Sequence, residues 1–335
     1  MLDHPMFLRD RTNMTDPLSD MLSLVEAQSV LSGRLHAGGV WAVRFPPPEK
    51  IKFSALLHGD CWLAMEELAA PVPLEAGDVV VVNGQRSFVL ASDLAVEPVD
   101  ARDVFRDAPD GIATIGSGKD TFLFGGHVTL DPGRARLLMD VLPPLIHVRS
   151  STPEASALRW LLEQLVGELS SDRPGATLAS SHLAQLMFVQ VLRTYLTDPA
   201  PSSDPGWIRA IADERIAPAL RLMHGDPGRS WTLGELARAS AMSRTTFATR
   251  FKEVAGVAPV TYLQGWRMRL AERALRSGAT PISSVALSLG YTSESAFSNA
   301  FKRAVGVSPK RYRSARTLNS KEDHIASGVA DLGCP

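Results

Sequence analysis

Ser243-Arg-Thr-Thr-Phe247-Ala-Thr-Arg-Phe251-Lys252 is answered by Ser293-Glu-Ser-Ala-Phe297-Ser-Asn-Ala-Phe301-Lys302 at a constant offset of fifty residues, and this correspondence decides the fold of the C-terminal third of the chain. It continues through Gly256, Val257, Pro259 and Tyr262, which recur as Gly306, Val307, Pro309 and Tyr312. Upstream the match runs one residue out of step: Leu236-Ala237 and Met242 answer to Val285-Ala286 and Tyr291. Two related but diverged copies, differing by one residue in a turn, account for both the match and the slip.

Each copy predicts two short helices and a tight turn. In the first, Thr232 caps a helix carrying Leu233, Leu236 and Ala237, and Ser240-Ala241-Met242 turns the chain. Ser243 then caps a second helix to about Ala255. Phe247, Phe251 and Val254 share one face of it, leaving Arg244, Thr245, Ala248, Thr249 and Lys252 facing away. The second copy has Thr280-Pro281 as cap and first turn, and Ile282, Val285, Ala286 and Leu289 inward. Its second helix, Ser293 to Val305, turns Glu294, Ser295, Ser298, Asn299, Lys302 and Arg303 outward. Two short helices joined tightly, with the second polar and basic outward, make a helix-turn-helix. A helix over Arg209 to Met223 precedes the pair. Another, Pro259 to Ser277 closed by Gly278, lies between the copies and spans about 28 Å, against about 34 Å for a turn of B-DNA.

Charge isolates the same region. Gly206 to Arg316 holds 18 Lys and Arg against 7 Asp and Glu, a net of +11, which leaves −12 for the rest of a chain whose total is −1. A basic excess confined to the repeat favours a polyanionic partner for that region alone. At 335 residues the chain exceeds one average domain. Cys61 and Cys334 supply neither a disulfide framework nor a zinc set, which suits a reducing cytoplasm. No run reaches the roughly 18 apolar residues of a membrane span. Met1 to Thr15 reads as a loose leader without a signal-peptide core, and Met14 is an alternative start.

The N-terminal half reads differently. After a helical pattern from Asp16 to Gln28, short aromatic or β-branched runs at 40–45, 52–57, 61–65, 78–82 and 87–90 alternate with Gly, Pro, Asn and Asp turns, and Thr121 to Leu130 reads as a last strand. Such spacing argues for a sandwich or barrel. A small barrel has an interior that commonly holds one small ligand. Trp41, Phe53, His58, Trp62, Glu66, Arg86 and Phe88 are candidates for lining it, the aromatics being equally consistent with plain core. Arg44 and Arg86, if turned inward, would ask for an anion. Asp131 to Val141 predicts a short helix. Pro153 to Ser170 and Thr177 to Thr197 predict two longer ones with apolar stripes, fit for packing on their own domain or for sharing between subunits. Asp198 to Gly206, rich in Pro and Ser, reads as a linker.

The runs Trp231-Thr-Leu-Gly-Glu-Leu-Ala, Met242-Ser-Arg-Thr-Thr-Phe, Arg267-Met-Arg-Leu-Ala, Gly290-Tyr-Thr-Ser-Glu-Ser-Ala-Phe-Ser and Phe301-Lys-Arg-Ala-Val-Gly-Val-Ser-Pro-Lys-Arg-Tyr-Arg resemble the DNA-binding domain of AraC-type transcription regulators. Leu74-Glu-Ala-Gly-Asp-Val-Val-Val-Val82, with Gly84 and Phe88, is similar to the second half of a cupin barrel. Metal-binding cupins carry a His-x-His pair, a glutamate and a later histidine. Here His58 stands alone, and Ser87 or Phe88 occupies the later place. His36, His58 and His127 therefore read as ordinary histidines, and neither a metal nor another cofactor is expected.

The resemblance implies an α+β multidomain chain: leader 1–15, cupin-like effector domain 16–150, helical dimerisation segment 151–197, linker 198–206, all-α domain with two helix-turn-helix units 207–316 and disordered tail 317–335. It implies base contacts from Arg244, Thr245, Ala248 and Thr249 in the first reading helix and from Glu294, Ser295 and Asn299 in the second. Arg suits guanine, Asn adenine, Glu cytosine, and Ala or Thr a thymine methyl. The family usually has Arg where Asn299 stands, which changes the preferred base. Ser243 and Ser293 at helix N-termini, with Arg250, Lys252, Arg267, Lys302 and Arg303, are expected on phosphates. Phe247, Phe251, Phe297, Phe301, Tyr262, Tyr312, Trp231, Tyr291 and Trp266 are expected in the core.

The resulting expectation is a cytoplasmic, nucleoid-associated, dimeric transcription regulator without enzymatic activity. Its partners are double-stranded DNA, a small-molecule effector, RNA polymerase and a second copy. A cupin enzyme tethered to DNA and a ligand-independent architectural DNA-binding protein are the other readings.

Overall fold

The computed structural model describes residues 16–108, 111–170, 173–197, 205–276 and 280–314. The expected leader, most of the linker, Gly278 and the tail lie outside them. The described residues divide into two compact units, one within 25–197 and one combining 16–24 with 205–314. Helix α1 (Pro17–Leu24) therefore groups with the C-terminal helices, where the sequence reading placed it in the effector domain. Its apolar stripe of Leu18, Met21, Leu22 and Leu24 is buried there.

The other unit is built on two sheets. Its strands are β1 (Gln28–Gly38), β2 (Ala42–Phe45), β3 (Ile51–His58), β4 (Asp60–Ala64), β5 (Val72–Glu75), β6 (Val79–Val82), β7 (Phe88–Ala91), β8 (Val99–Asp100), β9 (Ile112–Gly116), β10 (Thr121–Thr129) and β11 (Leu145–Val148). One sheet runs β11-β6-β3-β10-β1-β9 and the other β5-β4-β7-β2-β8. Leu35, Leu56, Val80, Val82 and Leu123 of the first meet Val43, Leu63, Phe88 and Leu90 of the second in one core.

Several strands escape the sequence pattern for physical reasons. β1 carries Ser, Gly, His and Arg, and a register shift between Leu31 and Gly33 breaks its alternation. β5 contains Pro73, tolerated because the strand lies at a sheet edge. β11 directly follows Pro143-Pro144.

Gly77-Asp78, the cupin-like turn, is a structural staple. Gly77 has φ +92°, and a Cβ there would meet Ser150 at 2.8 Å. The Asp78 carboxylate accepts from Ser150 N (2.7 Å), His147 Nε2 (2.8 Å) and Glu75 N (3.1 Å), tying the turn to β11. Burial pushes its pKa up, but these hydrogen bonds outweigh burial and hold it below the ordinary value. Helix α2 (Ala101–Phe105) sits between β8 and β9. Helix α3 (Arg136–Met139) is shorter than the predicted 131–141. Helices α4 (Ser156–Leu169) and α5 (Ala176–Thr197) pack together, and α5 lies on β1 and β11.

The helical unit continues with α6 (Trp207–Ala212), α7 (Ala217–Gly225), α8 (Leu233–Ala239), α9 (Arg244–Ala255), α10 (Pro259–Arg276), α11 (Ile282–Ser288) and α12 (Glu294–Val305), then a helical turn at 309–314. The single helix predicted over 209–223 is two. Asp213 stops the first by adopting an extended backbone, and its carboxylate accepts from Arg215 N and Ile216 N ahead of the second. Among the described residues no helix is long and apolar enough to cross a membrane.

Candidate nucleic-acid interface and barrel cavity

The two copies are the same object in three dimensions. Ser243 Oγ accepts from Thr246 N and Ser293 Oγ from Ala296 N, both at 3.1 Å, so each reading helix has a side-chain N-cap. Each ends on a left-handed glycine, Gly256 at φ +78° and Gly306 at φ +87°. Phe247 and Phe251 lie 5.6 Å apart and Phe251 meets Tyr262 edge-on. Phe297 and Phe301 lie 5.7 Å apart and Phe301 meets Tyr312 in the same way. All four phenylalanines are fully buried.

Hydrogen bonds locate the slip. Met242 N donates to Ala237 O and Tyr291 N to Ala286 O, one equivalent pair at an offset of 49. Phe247 N donates to Ser243 O and Phe297 N to Ser293 O at an offset of 50. The extra residue is therefore Thr292, between the turn and the cap of α12.

The outward sets emerge as expected. Arg244, Thr245, Thr249 and Lys252 on α9 are exposed, with Ala248 partly covered. Glu294, Ser295, Asn299, Lys302 and Arg303 on α12 are exposed, with Ser298 partly covered. The two caps, Ser243 and Ser293, are exposed as well.

Two cations expected on phosphates have partners within the unit. Arg250 forms a bidentate pair with Asp213 (2.7 and 3.3 Å), closing α9 onto the α6–α7 break. Arg267 on α10 donates to Pro227 O (2.6 Å) and Arg229 O (2.9 Å), and burial lowers its pKa. The segment it holds also meets the second copy: a Cβ on Gly290 would lie 2.0 Å from Gly228 O. Thus α10 is a brace as well as a spacer.

Of the expected core aromatics, Tyr262 and Trp266 are buried, while Trp231, Tyr291 and Tyr312 are half-buried. Trp231 lies beneath the Arg229 guanidinium, 4.0 Å from its centroid. The tyrosines are anchored differently. Tyr262 OH meets His224 Nε2 at 2.9 Å, and His224 Nδ1 meets Asp20 of α1 at 3.3 Å, with Trp266 stacked on the imidazole. Burial drives the His224 pKa down, although Asp20 opposes it. Tyr312 OH instead donates to Glu272 and accepts from Arg276 Nε, both at 3.2 Å. His224 was not visible as functional in the sequence, because its partners lie 38 and 204 residues away.

The barrel unit contains a cavity of about 300 Å3. Leu35, Lys52, Ser54 and Leu123 line it from β1, β3 and β10, opposite the Phe45–Pro48 segment and α2. None of the seven expected lining residues is among those that line it. Trp41 and Phe88 are barrel core. Phe53 is buried edge-on to Phe124, which itself reaches the cavity. His58, Trp62 and Glu66 are exposed, and Arg86 pairs with Glu67 at 2.9 Å on the surface. Arg44 is also exposed. Between the two sheets apolar side chains fill the space, and the cavity falls beside Gly33, Gly125 and Pro46 to Pro48, where no large side chain stands. Among the described residues no His, Cys, Asp and Glu cluster fits a metal.

Comparison with known proteins matches both parts of the chain, the first match taking in α1 as well. Residues 16–197 match the family model described as Cupin, and residues 236–315 the one described as Helix-turn-helix domain. An AraC-like transcription regulator of Streptomyces antibioticus is 45% identical over 89% of this chain and 98% of its own length. One of Streptomyces lividans is 45% identical over 90% of this chain and 99% of its own. The solved DNA-binding domain of AdpA in complex with a target DNA is 29% identical, covering 32% of this chain and 96% of that one, with a TM-score of 0.31. With a cupin unit, a duplicated helix-turn-helix and full-length relatives at this identity, the chain belongs to the AraC-like transcription regulators.

Proposed function

We propose that α9 and α12 read different base sequences in one DNA site, and that the barrel unit admits a small-molecule effector which modulates this binding. One observation carries the first part: two identically capped helices on one braced scaffold expose unlike residues at matching positions. Arg244, Thr245, Ala248 and Thr249 suit a guanine flanked by a thymine methyl. Glu294, Ser295 and Asn299 suit cytosine and adenine. Lys252, Lys302 and Arg303, with the Ser243 and Ser293 helix ends, hold phosphates. Arg250 and Arg267 shape the scaffold.

The apolar cavity supports the effector role, and the relatives' names support a regulator rather than an enzyme. The α4–α5 pair supports a dimer. It buries Leu158, Leu161, Leu162, Leu165, Met187 and Phe188 within its own unit, yet leaves Trp160 57%, Leu178 64% and Leu186 52% exposed. Apolar groups of that size on neighbouring helices favour a second copy. A regulator of this kind works in the cytoplasm beside the nucleoid and RNA polymerase.

The test is fluorescence anisotropy of the full chain on duplexes selected from a random pool, as a function of salt. Log affinity is expected to fall steeply and linearly with log salt, as counterion release requires. Affinity that stays flat overturns the reading.

A further inference from the structure

The cavity has one chemical singularity, Lys52. It lines the cavity together with Leu123 and other apolar residues, and its Nζ donates to the exposed Ser32 Oγ at 3.3 Å. Ser32 stands at the register shift of β1, where the bulge frees it from strand pairing, and its hydroxyl also donates to Gly125 O at 3.5 Å. Ser54, two residues along the same face of β3, adds a second hydroxyl to the lining. Among the described residues no carboxylate pairs with Lys52. Arg102, the other cation on the cavity wall, is committed to Asp100.

The charged group that bears electrostatically on Lys52 is Lys50, of the same sign, and its cross-strand partner on β10 is His127. Burial lowers the Lys52 pKa and Lys50 adds to this; burial, then Lys50 and Lys52, lower that of His127. Positive charge thus stands without a carboxylate partner at the open, partly solvated end of an apolar cavity.

We infer that this cavity takes a small monocarboxylic acid with an apolar body, its carboxylate on Lys52, Ser32 and Ser54 and its body against Leu35, Phe45 and Leu123. The volume sets the size. At about 30 Å3 per water the cavity holds about ten waters, and hence a ligand of on the order of ten to fifteen non-hydrogen atoms. Multiply charged anions such as phosphates are disfavoured, because with Arg102 held by Asp100 a single ammonium is left to balance them beside apolar walls. This assignment rests on reading the barrel as the effector unit.

Octanoate and cinnamate, each beside its primary amide, are titrated calorimetrically into the full chain and into Lys52→Met and Lys52→Arg variants. Both acids are expected to bind roughly tenfold or more tighter than their amides, the scale of one charge-assisted hydrogen bond. Lys52→Met erases that preference while leaving amide binding and thermal unfolding in place, and Lys52→Arg restores it. Equal binding of acids and amides, an acid preference that survives Lys52→Met, or no binding of either acid overturns the assignment. DNA affinity is measured in parallel. If it responds to other compounds while both acids fail, only the ligand class falls. If the acids bind as expected and DNA affinity ignores them, the site stands and the effector reading falls.

Discussion

The two helix-turn-helix units share a skeleton, down to its serine caps, and differ in most of the other polar groups around it. The Phe-Phe-Tyr triads, serine caps and left-handed glycines coincide at an offset of fifty, whereas the caps of the first helices do not. Thr232 and Glu235 form a reciprocal capping box on α8; α11 begins at Pro281 without a side-chain cap hydrogen bond. The left-handed turn residue is Ala241 at φ +50° in one copy and Gly290 at φ +80° in the other. One tyrosine reaches a buried histidine and the other a half-buried Glu–Arg pair. Divergence therefore left the packing that places α9 and α12 and changed the groups that face solvent or neighbouring helices. A duplicated scaffold can in this way present two specificities.

The largest effect tests the shared skeleton. Phe251→Ala and Phe301→Ala should each destabilise the helical unit by about 3–5 kcal/mol, the range for truncating a buried phenylalanine. Denaturant unfolding measures both, and a large inequality would break the equivalence. Next come the turns, where the copies should respond with opposite sign. Gly290→Ala should cost about 2 kcal/mol or more, since it adds a left-handed Cβ cost of about 1–2 kcal/mol to a clash with Gly228 O. Ala241→Gly, which relieves that conformation without a clash, should be stabilising by about 1 kcal/mol or less.

The tyrosines sharpen the contrast further. Tyr262→Phe leaves a buried imidazole nitrogen without its partner and should cost about 1–3 kcal/mol; Tyr312→Phe, half-buried beside water, should cost about 0.5–1.5 kcal/mol. The first anchor should also be acid-sensitive. His224 has its folded pKa below the ordinary 6.5, so the unfolded chain binds the proton first. Its contribution is fully present above about pH 6.5 and declines as pH falls below it. His224→Phe should flatten that slope in thermal unfolding between about pH 7 and 5. An unchanged slope would remove His224 as its source.

The repeat was legible because a packed Phe-Phe-Tyr core tolerates few substitutions, so both copies still spell it. The outward residues were legible because helical spacing fixes the face opposite that core. Long-range pairing was not. Nothing local tells Arg250 or Arg267, basic and on the correct helices, from a phosphate ligand; Asp213 lies 37 residues from one and the Pro227 carbonyl 40 from the other. The same blindness hid the α6–α7 break and the attachment of α1 through Asp20. In the barrel, the sequence identified which residues are apolar but not which of them face a void. Trp41, Phe53 and Phe88 fill space, while a bulge, two glycines, three prolines and one lysine define the chamber.

The central claim is that α9 and α12 read unlike sequences. Its most direct test is selection of bound duplexes by the full chain and by Arg244→Ala and Asn299→Ala variants. The expected product is an asymmetric site spanning about two DNA turns. Arg244→Ala should relax one base position in one half of the site and Asn299→Ala one position in the other, each by about 1–3 kcal/mol. A site with two identical halves, or a uniform loss across all sequences from both variants, would contradict it.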